Sequence, residues 1–248
     1  MNQDSRVSTP PDGSPASSQS DTQREAVRDS DWIAEVSHEL RLPIANIKLL
    51  VETLLDGAAE DPDTAMRMLE RTRREVERLE ALVFDLISIE QVANERDSVK
   101  KHRVPLQEAA RYATESVGKT ASKKSIVLLT EIDSGFTISA DPDQLNQVML
   151  NLVENAVKYT PSGGEVTIRS GANPGCFSVS DSGIGIAASE IPKIFKRFYR
   201  VDRTRAPGST GLGLSIVKHI ADLHGAKINV QSEESKGSTF ILEFPEDG

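Results

Sequence analysis

The sequence has almost no cysteine, no long apolar run and no excess of basic residues. Cys176 is the single cysteine in 248 residues, which excludes an internal disulfide framework and fits a reducing compartment. The most apolar stretch, ALVFDLISI, contains Asp85 and Ser88 and is too short to cross a membrane, and the N-terminus lacks the apolar core of a signal peptide. A formal net charge of −9 argues against a nucleic-acid-binding face and a polybasic membrane anchor. We therefore expect a cytoplasmic protein, or the cytoplasmic portion of a longer one.

The first part of the chain divides into a polar segment and two long helical patterns. Residues 1–25 are rich in Ser, Pro, Asp and Gln, which predicts a disordered tail or linker. Residues 26–95 carry two apolar stripes with steps of three and four, typical of helices in coiled coils or bundles. The stripes consist of Ile33, Val36, Leu40, Ile44, Ile47, Val51 and Leu54, and of Leu69, Thr72, Val76, Leu79, Val83 and Leu86.

The segment DGAAEDPDT separates the two helical patterns. Gly57 suits a helix C-terminus, and Asp61 followed by Pro62 suits an N-cap and a first helical position. A short connection between long helices predicts an antiparallel hairpin. Because such narrow stripes cannot bury a core alone, we expect a homodimeric four-helix bundle, with a heterodimer as the less economical arrangement.

Residues 101–248 alternate helix-like and strand-like patterns. Helices are predicted near residues 105–120, 141–159 and 212–224, and strands at SIVLLTEI, FTISA, EVTIRS, CFSVS, KINVQ and STFILEF. This alternation predicts an α/β two-layer domain with its helices on one face.

His38 lies in the segment SHELRLPI, within the first helical pattern. It falls at the heptad position farthest from the apolar stripe, so its imidazole is predicted to face water. The neighbouring carboxylate of Glu39 is placed to accept a hydrogen bond from Nδ1, which fixes the tautomer with a basic Nε2 atom. Pro43 predicts a bend just after the histidine. Together these features favour a nucleophilic histidine over surface decoration.

Two asparagines lie four residues apart in the predicted helix NLVENAVKY. Asn151 and Asn155 therefore emerge on one face, where their oxygens could hold Mg²⁺ together with phosphate oxygens. Lys158, on a neighbouring face, is within reach of a phosphate. The alternative for this segment alone is a surface helix with polar side chains.

Two glycine-containing loops follow. In DSGIGI, Asp181 can accept a hydrogen bond from an exocyclic amine, and Gly183 and Gly185 allow the backbone to approach a ligand closely. GSTGLGLSIVKHI begins with glycines and continues into an apolar helix, which is typical of a phosphate cradle at a helix N-terminus. Neither loop has the dinucleotide fingerprint or the Walker pattern. The segment between them, IFKRFYRVDRTRAPGS, is either an exposed helix or a mobile lid over a nucleotide.

These motifs, in this order over about residues 30–246, closely resemble those of the two-component sensor histidine kinases. The resemblance implies a dimerisation and histidine phosphotransfer hairpin, followed by an ATP-binding domain of the gyrase, Hsp90 and MutL type with the Bergerat fold. It also implies ATP-dependent autophosphorylation of a histidine, with ATP and Mg²⁺ as cofactors. Phosphotransfer to an aspartate on the receiver domain of a response regulator is then expected, from a homodimer that does not insert into the membrane.

The resemblance also implies roles for single residues. His38 matches the phosphoacceptor, Glu39 its acid–base partner and Arg200 a lid arginine near the γ-phosphate. The nucleotide-binding positions that match are Asn151 and Asn155 as the magnesium pair, Lys158, Tyr159, Asp181, Gly183, Gly185, Gly211, Leu212 and Gly213. Hydrolytic relatives in the ATPase superfamily carry a glutamate where this chain has Asn151, and an amide cannot deprotonate water. The γ-phosphoryl group is therefore expected to await the imidazole.

One position departs from the family pattern. Leu42 stands four residues after His38, where the family usually has a Thr or Asn that helps to position water for removal of phosphate from the regulator. Leucine neither donates nor accepts a hydrogen bond, so weak phosphatase activity is expected. Two alternatives to a kinase are a dimeric scaffold that binds nucleotide without turnover, and a hydrolytic ATPase of the same superfamily.

Overall fold

The computed structural model describes residues 16–94, 99–201 and 210–246, which form a helical hairpin and an α/β domain. The hairpin consists of α1 (Ala16–Leu55), a short 3-10 turn (Ala58–Glu60) and α2 (Pro62–Asn94). The α/β domain contains, in chain order, β1 (His102–Pro105), α3 (Leu106–Lys123), β2 (Val127–Glu131), β3 (Thr137–Ala140), α4 (Pro142–Tyr159), β4 (Glu165–Ser170), β5 (Cys176–Asp181), α5 (Gly213–His224), β6 (Lys227–Glu233) and β7 (Gly237–Glu243). No helix in the described ranges is long and apolar enough to cross a membrane.

The connection between α1 and α2 is as the sequence predicts. Gly57 has a φ of 113°, a conformation that glycine adopts without the steric cost of a Cβ atom. The Asp61 carboxylate accepts hydrogen bonds from the Asp63 backbone N–H at 3.3 Å and from the Thr64 hydroxyl at 2.5 Å. Asp61 therefore caps α2, which begins at Pro62.

The boundary of the predicted tail is wrong in part. Residues 16–25 are helical and belong to α1, whereas residues 1–15 lie outside the described residues. The sequence from Ala16 to Arg41 contains no proline, and extending an existing helix requires no new nucleation. The helix therefore continues through a segment whose composition alone suggests disorder.

The predicted two-layer architecture of the second domain is confirmed. Its main sheet has the order β2-β4-β5-β7-β6, with β2 parallel to β4 and the remaining neighbours antiparallel. The three helices pack on this sheet, and the core between the layers contains fully buried apolar side chains from both. Its largest members include Phe177, Leu145, Met149, Leu152, Ile168, Ile216, Ile220 and Leu242.

The sequence analysis missed strand β1, which pairs antiparallel with β3 in a separate two-stranded sheet. The four residues of β1 have no apolar run, and only Val104 among them is buried. Such a short strand has no periodic signal of its own, because its conformation depends on the pairing with β3.

Helices α4 and α5 are joined end to end by a buried histidine. His224, the last residue of α5, accepts a hydrogen bond from the Asp141 backbone N–H through Nε2 at 3.1 Å. Its Nδ1 atom lies 2.9 Å from the carbonyl oxygen of Ile220. Asp141 in turn caps α4 by accepting from the backbone N–H groups of Asp143 and Gln144. This junction fixes the two helices that carry the functional site.

Candidate functional site: a cavity between the α/β domain and the hairpin

A cavity of about 670 Å³ opens between α4, the loop after β5, the N-terminus of α5 and one face of α2. Nine of the residues predicted to bind nucleotide or to act on it line this cavity. They are Asn151, Asn155, Lys158, Tyr159, Asp181, Gly185, Arg200, Gly211 and Gly213. A volume of this size is in the range of small-molecule and cofactor sites.

The two asparagines on α4 face the N-terminus of α5. A Cβ atom at Gly213 would lie 3.3 Å from the Asn151 Oδ1 atom and 3.7 Å from the Asn155 Nδ2 atom. The glycine therefore lets the start of α5 lie directly beside both amides. The free backbone N–H groups and the dipole of a helix N-terminus favour anions, so the same place offers amide oxygens for a cation and N–H groups for phosphate.

The glycines of the first loop pack against protein backbone. Gly185 has a φ of 68°, and a Cβ atom there would lie 2.0 Å from the carbonyl oxygen of Glu233, the last residue of β6. A Cβ atom at Gly183 would lie 2.7 Å from the carbonyl oxygen of Tyr159. The sequence analysis expected these glycines to let the backbone approach a ligand, whereas the close approach in the structure is between protein segments.

Two predicted binding residues lie behind the cavity wall. Gly183 is absent from the lining, and its backbone N–H donates to Asp181 Oδ1 at 2.8 Å. Leu212 is fully buried in the core, and its backbone N–H donates to the Thr210 hydroxyl at 3.2 Å. The Leu212 side chain is packed in the core, and protein atoms occupy the space where a Gly183 Cβ atom would lie. Both residues therefore support the loops from behind the cavity wall.

Asp181 and Lys158 are the charged groups in the cavity wall that the sequence analysis identified on β5 and α4. Burial raises the pKa of the Asp181 carboxyl, and the hydrogen bond from Gly183 partly opposes that effect. For Lys158, burial first and then the positive charge of Arg200 lower the pKa to about 8, although Glu154 and Asp85 oppose this shift. At pH 7 most Lys158 side chains are therefore still protonated and able to pair with phosphate.

The segment between the two glycine loops forms turns, so the prediction of an exposed helix is wrong for residues 194–200. Tyr199 and Arg200 line the cavity. The alternative prediction of a mobile lid falls mainly on residues 202–209, which lie outside the described residues.

Helix α2 supplies one wall of the cavity, which the sequence analysis missed. Glu77, Glu80 and Asp85 line it, and the Thr210 hydroxyl donates to Asp85 Oδ2 at 2.6 Å. Burial raises the pKa of Asp85, while the hydrogen bond from Thr210 opposes that shift. No local sequence signal could have indicated this contact, because 125 positions separate its two residues.

The phosphoacceptor candidate lies on the outside of the hairpin. The His38 side chain is 62% exposed, as its heptad position predicts, and α1 continues through Pro43 to Leu55. Glu39 Oε1 lies 3.8 Å from His38 Nδ1, slightly beyond hydrogen-bonding distance. The other Glu39 oxygen accepts a hydrogen bond at 3.3 Å from Arg78 of α2. Although Arg78 lies in a strongly charged stretch of α2, its side chain is only 19% exposed.

The side chains around the asparagine pair fit a cation that shares its ligands with phosphate. No group of three or more His, Cys, Asp or Glu side chains within the described ranges forms a metal site by itself. Asn151 is buried, and its Nδ2 atom has no hydrogen-bond partner. Because the nitrogen and oxygen of an amide are assigned from their partners, the unpartnered atom is equally compatible with an oxygen that awaits a ligand.

Both the hairpin and the α/β domain match families of known proteins. The family model of the His Kinase A (phospho-acceptor) domain matches residues 28–95, and that of the Histidine kinase-, DNA gyrase B-, and HSP90-like ATPase matches residues 140–248. The sensor-like histidine kinase SenX3 of Mycolicibacterium smegmatis is 36% identical over 220 residues, which cover 87% of this chain and 57% of SenX3. The chain therefore spans little more than half the length of that relative.

Two solved structures are similar over most of the chain. Histidine kinase ThkA in complex with the response regulator protein TrrA has a TM-score of 0.69 and 26% identity, covering 96% of this chain and 68% of that one. Full-length ShkA in complex with AMPPNP has a TM-score of 0.62 and 28% identity, covering 87% and 45% of the two chains. Fold and cavity thus define a nucleotide-binding domain of the gyrase and Hsp90 type joined to a phosphoacceptor hairpin. With both domains matched, the chain belongs to the sensor histidine kinases and comprises a two-component histidine kinase catalytic core.

Proposed function

We propose that this chain transfers the γ-phosphoryl group of ATP to Nε2 of His38 and then to an aspartate on a response regulator. The observation that carries the proposal is the pairing, in one chain, of an outward-facing His38 beside the Glu39 carboxylate with a cavity lined by the nucleotide motifs. The similar structures of ThkA in complex with a response regulator and of ShkA in complex with AMPPNP support a response regulator and a nucleotide as partners of this chain. We place this activity in the cytoplasm, where ATP is available.

In the proposed reaction, the neutral imidazole of His38 attacks through its Nε2 lone pair. The bond from Nε2 to phosphorus forms, and the bond from phosphorus to the β–γ bridging oxygen breaks, so that ADP leaves. The proton on Nδ1 faces the Glu39 carboxylate, which lies on that side of the ring and stabilises the positive charge that develops on the imidazole. Phosphoryl transfer of this kind depends mainly on positioning and charge neutralisation.

The cavity supplies groups for each part of the nucleotide. The Asp181 carboxylate accepts a hydrogen bond from the adenine amine, a role that its position in the cavity wall allows. The N-terminus of α5, Lys158 and Arg200 bind the phosphates. Asn151 and Asn155 would hold Mg²⁺, which would supply neutralisation of the negative charge on the phosphates. Since Asn151 is an amide and not a carboxylate, it cannot activate water for hydrolysis.

The proposal is tested by incubating the protein with [γ-³²P]ATP and measuring acid-labile label on the chain. We expect label on the wild type and none on a His38→Ala variant that still binds nucleotide. Nucleotide binding without label on the wild type would indicate a silent scaffold. Steady ATP consumption that survives His38→Ala would indicate a hydrolytic ATPase.

A finer part of the proposal concerns phosphatase activity. Leu42 lies one helical turn after His38 and is 40% exposed, so it presents an apolar group next to the histidine. We expect slow loss of phosphate from a phosphorylated regulator in the presence of ADP, and at least severalfold faster loss with Leu42→Thr. Brisk loss with the wild type, unchanged by Leu42→Thr, would contradict this prediction.

The homodimer is supported by the exposed apolar residues of the hairpin. They recur every seven residues: Leu69, Val76 and Val83 of α2 are exposed, whereas Thr72, Leu79 and Leu86 are half-buried within the hairpin. Both sets of residues repeat every seven positions. This pattern is expected when the half-buried set packs within the hairpin and the exposed set packs against a second hairpin. A second copy of the chain is the partner we propose.

A further inference from the structure

The carboxylate of Glu39 is shared between two partners. Neighbouring residues on a helix point about 100° apart, and the exposures of the two side chains reflect this, at 62% for His38 and 11% for Glu39. Adjacency in sequence therefore does not bring the carboxylate to the imidazole. In the structure, however, Oε1 lies 3.8 Å from His38 Nδ1, while Oε2 accepts a hydrogen bond at 3.3 Å from Arg78 Nη2.

Arg78 is itself held by a series of polar contacts that links α2 to α1. Its Nη1 atom lies 3.9 Å from Glu75 Oε2, and the other Glu75 oxygen accepts a hydrogen bond at 3.3 Å from Asn46 Nδ2. Charged groups that are mostly withdrawn from water between two helices contribute less to stability than apolar packing would. Their presence beside the apolar stripe is therefore better explained by a geometric role than by stability.

We propose that Arg78 is a positioning residue for the phosphoacceptor, which holds the Glu39 carboxylate so that its Oε1 atom faces His38 Nδ1. This inference rests on the proposed function and deepens it. The planar guanidinium binds one carboxylate oxygen in a fixed direction, so the second oxygen has a defined position next to the ring. The carboxylate then favours the tautomer with the proton on Nδ1, and the lone pair stays on Nε2, the atom that attacks phosphorus.

The first test measures the tautomer of His38 directly and needs no turnover. The chain is labelled with ¹⁵N-histidine and examined by NMR at pH 8.5, two units above the ordinary histidine pKa of about 6.5. Signals of His38 are those missing from a His38→Gln variant. We expect the Nδ1–H tautomer to predominate in the wild type, and the population of the Nε2–H tautomer to rise in Arg78→Met. An unchanged tautomer population in Arg78→Met would overturn the inference.

The second test is kinetic and includes a matched control. In Arg78→Met, we expect the single-turnover rate of autophosphorylation at saturating ATP to fall about tenfold, less than the roughly hundredfold or larger loss expected on removing a proton-accepting group. The KM for ATP should stay within about twofold of the wild type, because the nucleotide is held by other residues. Arg74→Met, which removes an exposed arginine one turn earlier on α2, should change neither the rate nor the tautomer.

A conservative variant separates positioning from folding. Arg78→Lys keeps the positive charge but loses the planar fork, so we expect a rate and a tautomer population between those of the wild type and Arg78→Met. If Arg78→Met does not fold, as judged by circular dichroism, Arg78→Lys alone decides the question. A rate loss in either variant without a change of tautomer would refute the positioning role. If the wild type carries no acid-labile label, the proposed function fails, while the NMR result still decides whether Arg78 positions Glu39.

Discussion

At the scale of single residues, the phosphate end of the cavity depends on a lysine whose charge is sensitive to pH. Lys158 has a pKa near 8 because burial and the charge of Arg200 disfavour its protonated form, despite the opposing effect of Glu154. An ordinary lysine, with a pKa of about 10.4, stays charged throughout the physiological range. Lys158 instead loses its proton within a range that is easily reached in solution.

We therefore predict that nucleotide affinity falls as the pH rises through 8. The protonated form pairs with phosphate and predominates below pH 8, so binding above this pH requires uptake of a proton. A single proton changes the affinity by at most about tenfold per pH unit. The Kd for ADP with Mg²⁺, measured by calorimetry at pH 7 and pH 9, should therefore rise up to about tenfold for the wild type. Lys158→Arg should show a much smaller rise, because a guanidinium stays protonated. The same pH dependence in both proteins would contradict the prediction.

Residues that act within one motif could be predicted from the sequence, whereas residues that act across the fold could not. Asn151 and Asn155 are four positions apart on one helix, so their common face follows from helical geometry alone. Arg78 and Asp85 also lie on a regular helix, but their partners, Glu39 and Thr210, are 39 and 125 positions away. Only tertiary packing selects those partners, and nothing in the local pattern distinguishes these residues from other charged residues on α2.

At the scale of secondary-structure elements, the first glycine loop is held by the turn between β6 and β7. The Ser235 backbone N–H donates to the carbonyl oxygen of Ile184 at 2.7 Å, and the Ile186 backbone N–H donates to the Ser232 hydroxyl at 2.8 Å. Gly185 lies between these two contacts, and a Cβ atom at this position would collide with the Glu233 carbonyl oxygen. The loop is therefore a rigid part of the cavity wall, built on a neighbouring hairpin.

Alanine substitutions at Gly163 and Gly185 distinguish the loss of stability caused by a steric collision from the loss caused by backbone strain. Gly163 and Gly185 both have positive φ, at 82° and 68°, but a Cβ atom at Gly163 would meet nothing within 4 Å. Gly163→Ala should cost about 1–2 kcal/mol of unfolding free energy from strain alone. Gly185→Ala should cost roughly 1–3 kcal/mol more, because a methyl group would be forced against the Glu233 carbonyl oxygen. Urea denaturation of both variants checks this, and equal losses would show that the β6–β7 turn gives way freely.

Most helices and strands could be predicted where their apolar pattern extends over several residues. The three helices and six of the seven strands of the α/β domain follow from apolar patterns, and the hairpin turn follows from Gly57, Asp61 and Pro62. The exceptions are β1, which is too short to carry a pattern, and residues 16–25, where a polar composition suggested disorder but α1 continues. In both cases a neighbouring element decides the conformation.

At the scale of the whole molecule, the hairpin has apolar residues on two sides. One side is packed between α1 and α2. The other side, which includes Leu69, Val76 and Val83 of α2, is exposed. Monomeric proteins rarely leave such a continuous apolar face uncovered. In the proposed homodimer, a second hairpin would cover it in the four-helix arrangement that the stripe spacing predicts.

We predict that Val76→Glu weakens dimerisation at least tenfold. The substitution places a carboxylate in the middle of the exposed apolar face, where a second copy would bury it without a partner. Arg74→Glu adds the same group to an exposed position outside the apolar stripe and should leave the association unchanged apart from a small electrostatic effect. Sedimentation equilibrium of both variants and the wild type gives the dissociation constants. A wild-type monomer at micromolar concentration, or equal constants for all three, would contradict the proposed interface.

The hairpin and the α/β domain also meet at the cavity, where the described side chains of α2 that line it are one alanine and three acidic groups. Glu77, Glu80 and Asp85 line the same cavity as Lys158 and Arg200. A triphosphate that enters the cavity is attracted by the two cations and repelled by the three carboxylates. Docking of α2 and binding of phosphate are therefore coupled unfavourably, and by linkage each weakens the other.

Asp85→Asn tests this coupling, because it keeps an oxygen that accepts the Thr210 hydroxyl hydrogen bond but removes the negative charge. Because the substitution removes the negative charge, we expect the variant to bind ATP with Mg²⁺ about three- to tenfold more tightly than the wild type at pH 8. That change corresponds to roughly 1 kcal/mol, the size expected for one charge at a partly screened distance. Glu70→Gln removes an exposed carboxylate of α2 that does not line the cavity and should leave the affinity unchanged. High salt should reduce the difference between Asp85→Asn and the wild type. If Asp85→Asn binds nucleotide more weakly than the wild type, the carboxylate supports the nucleotide loop through Thr210 and does not compete with phosphate.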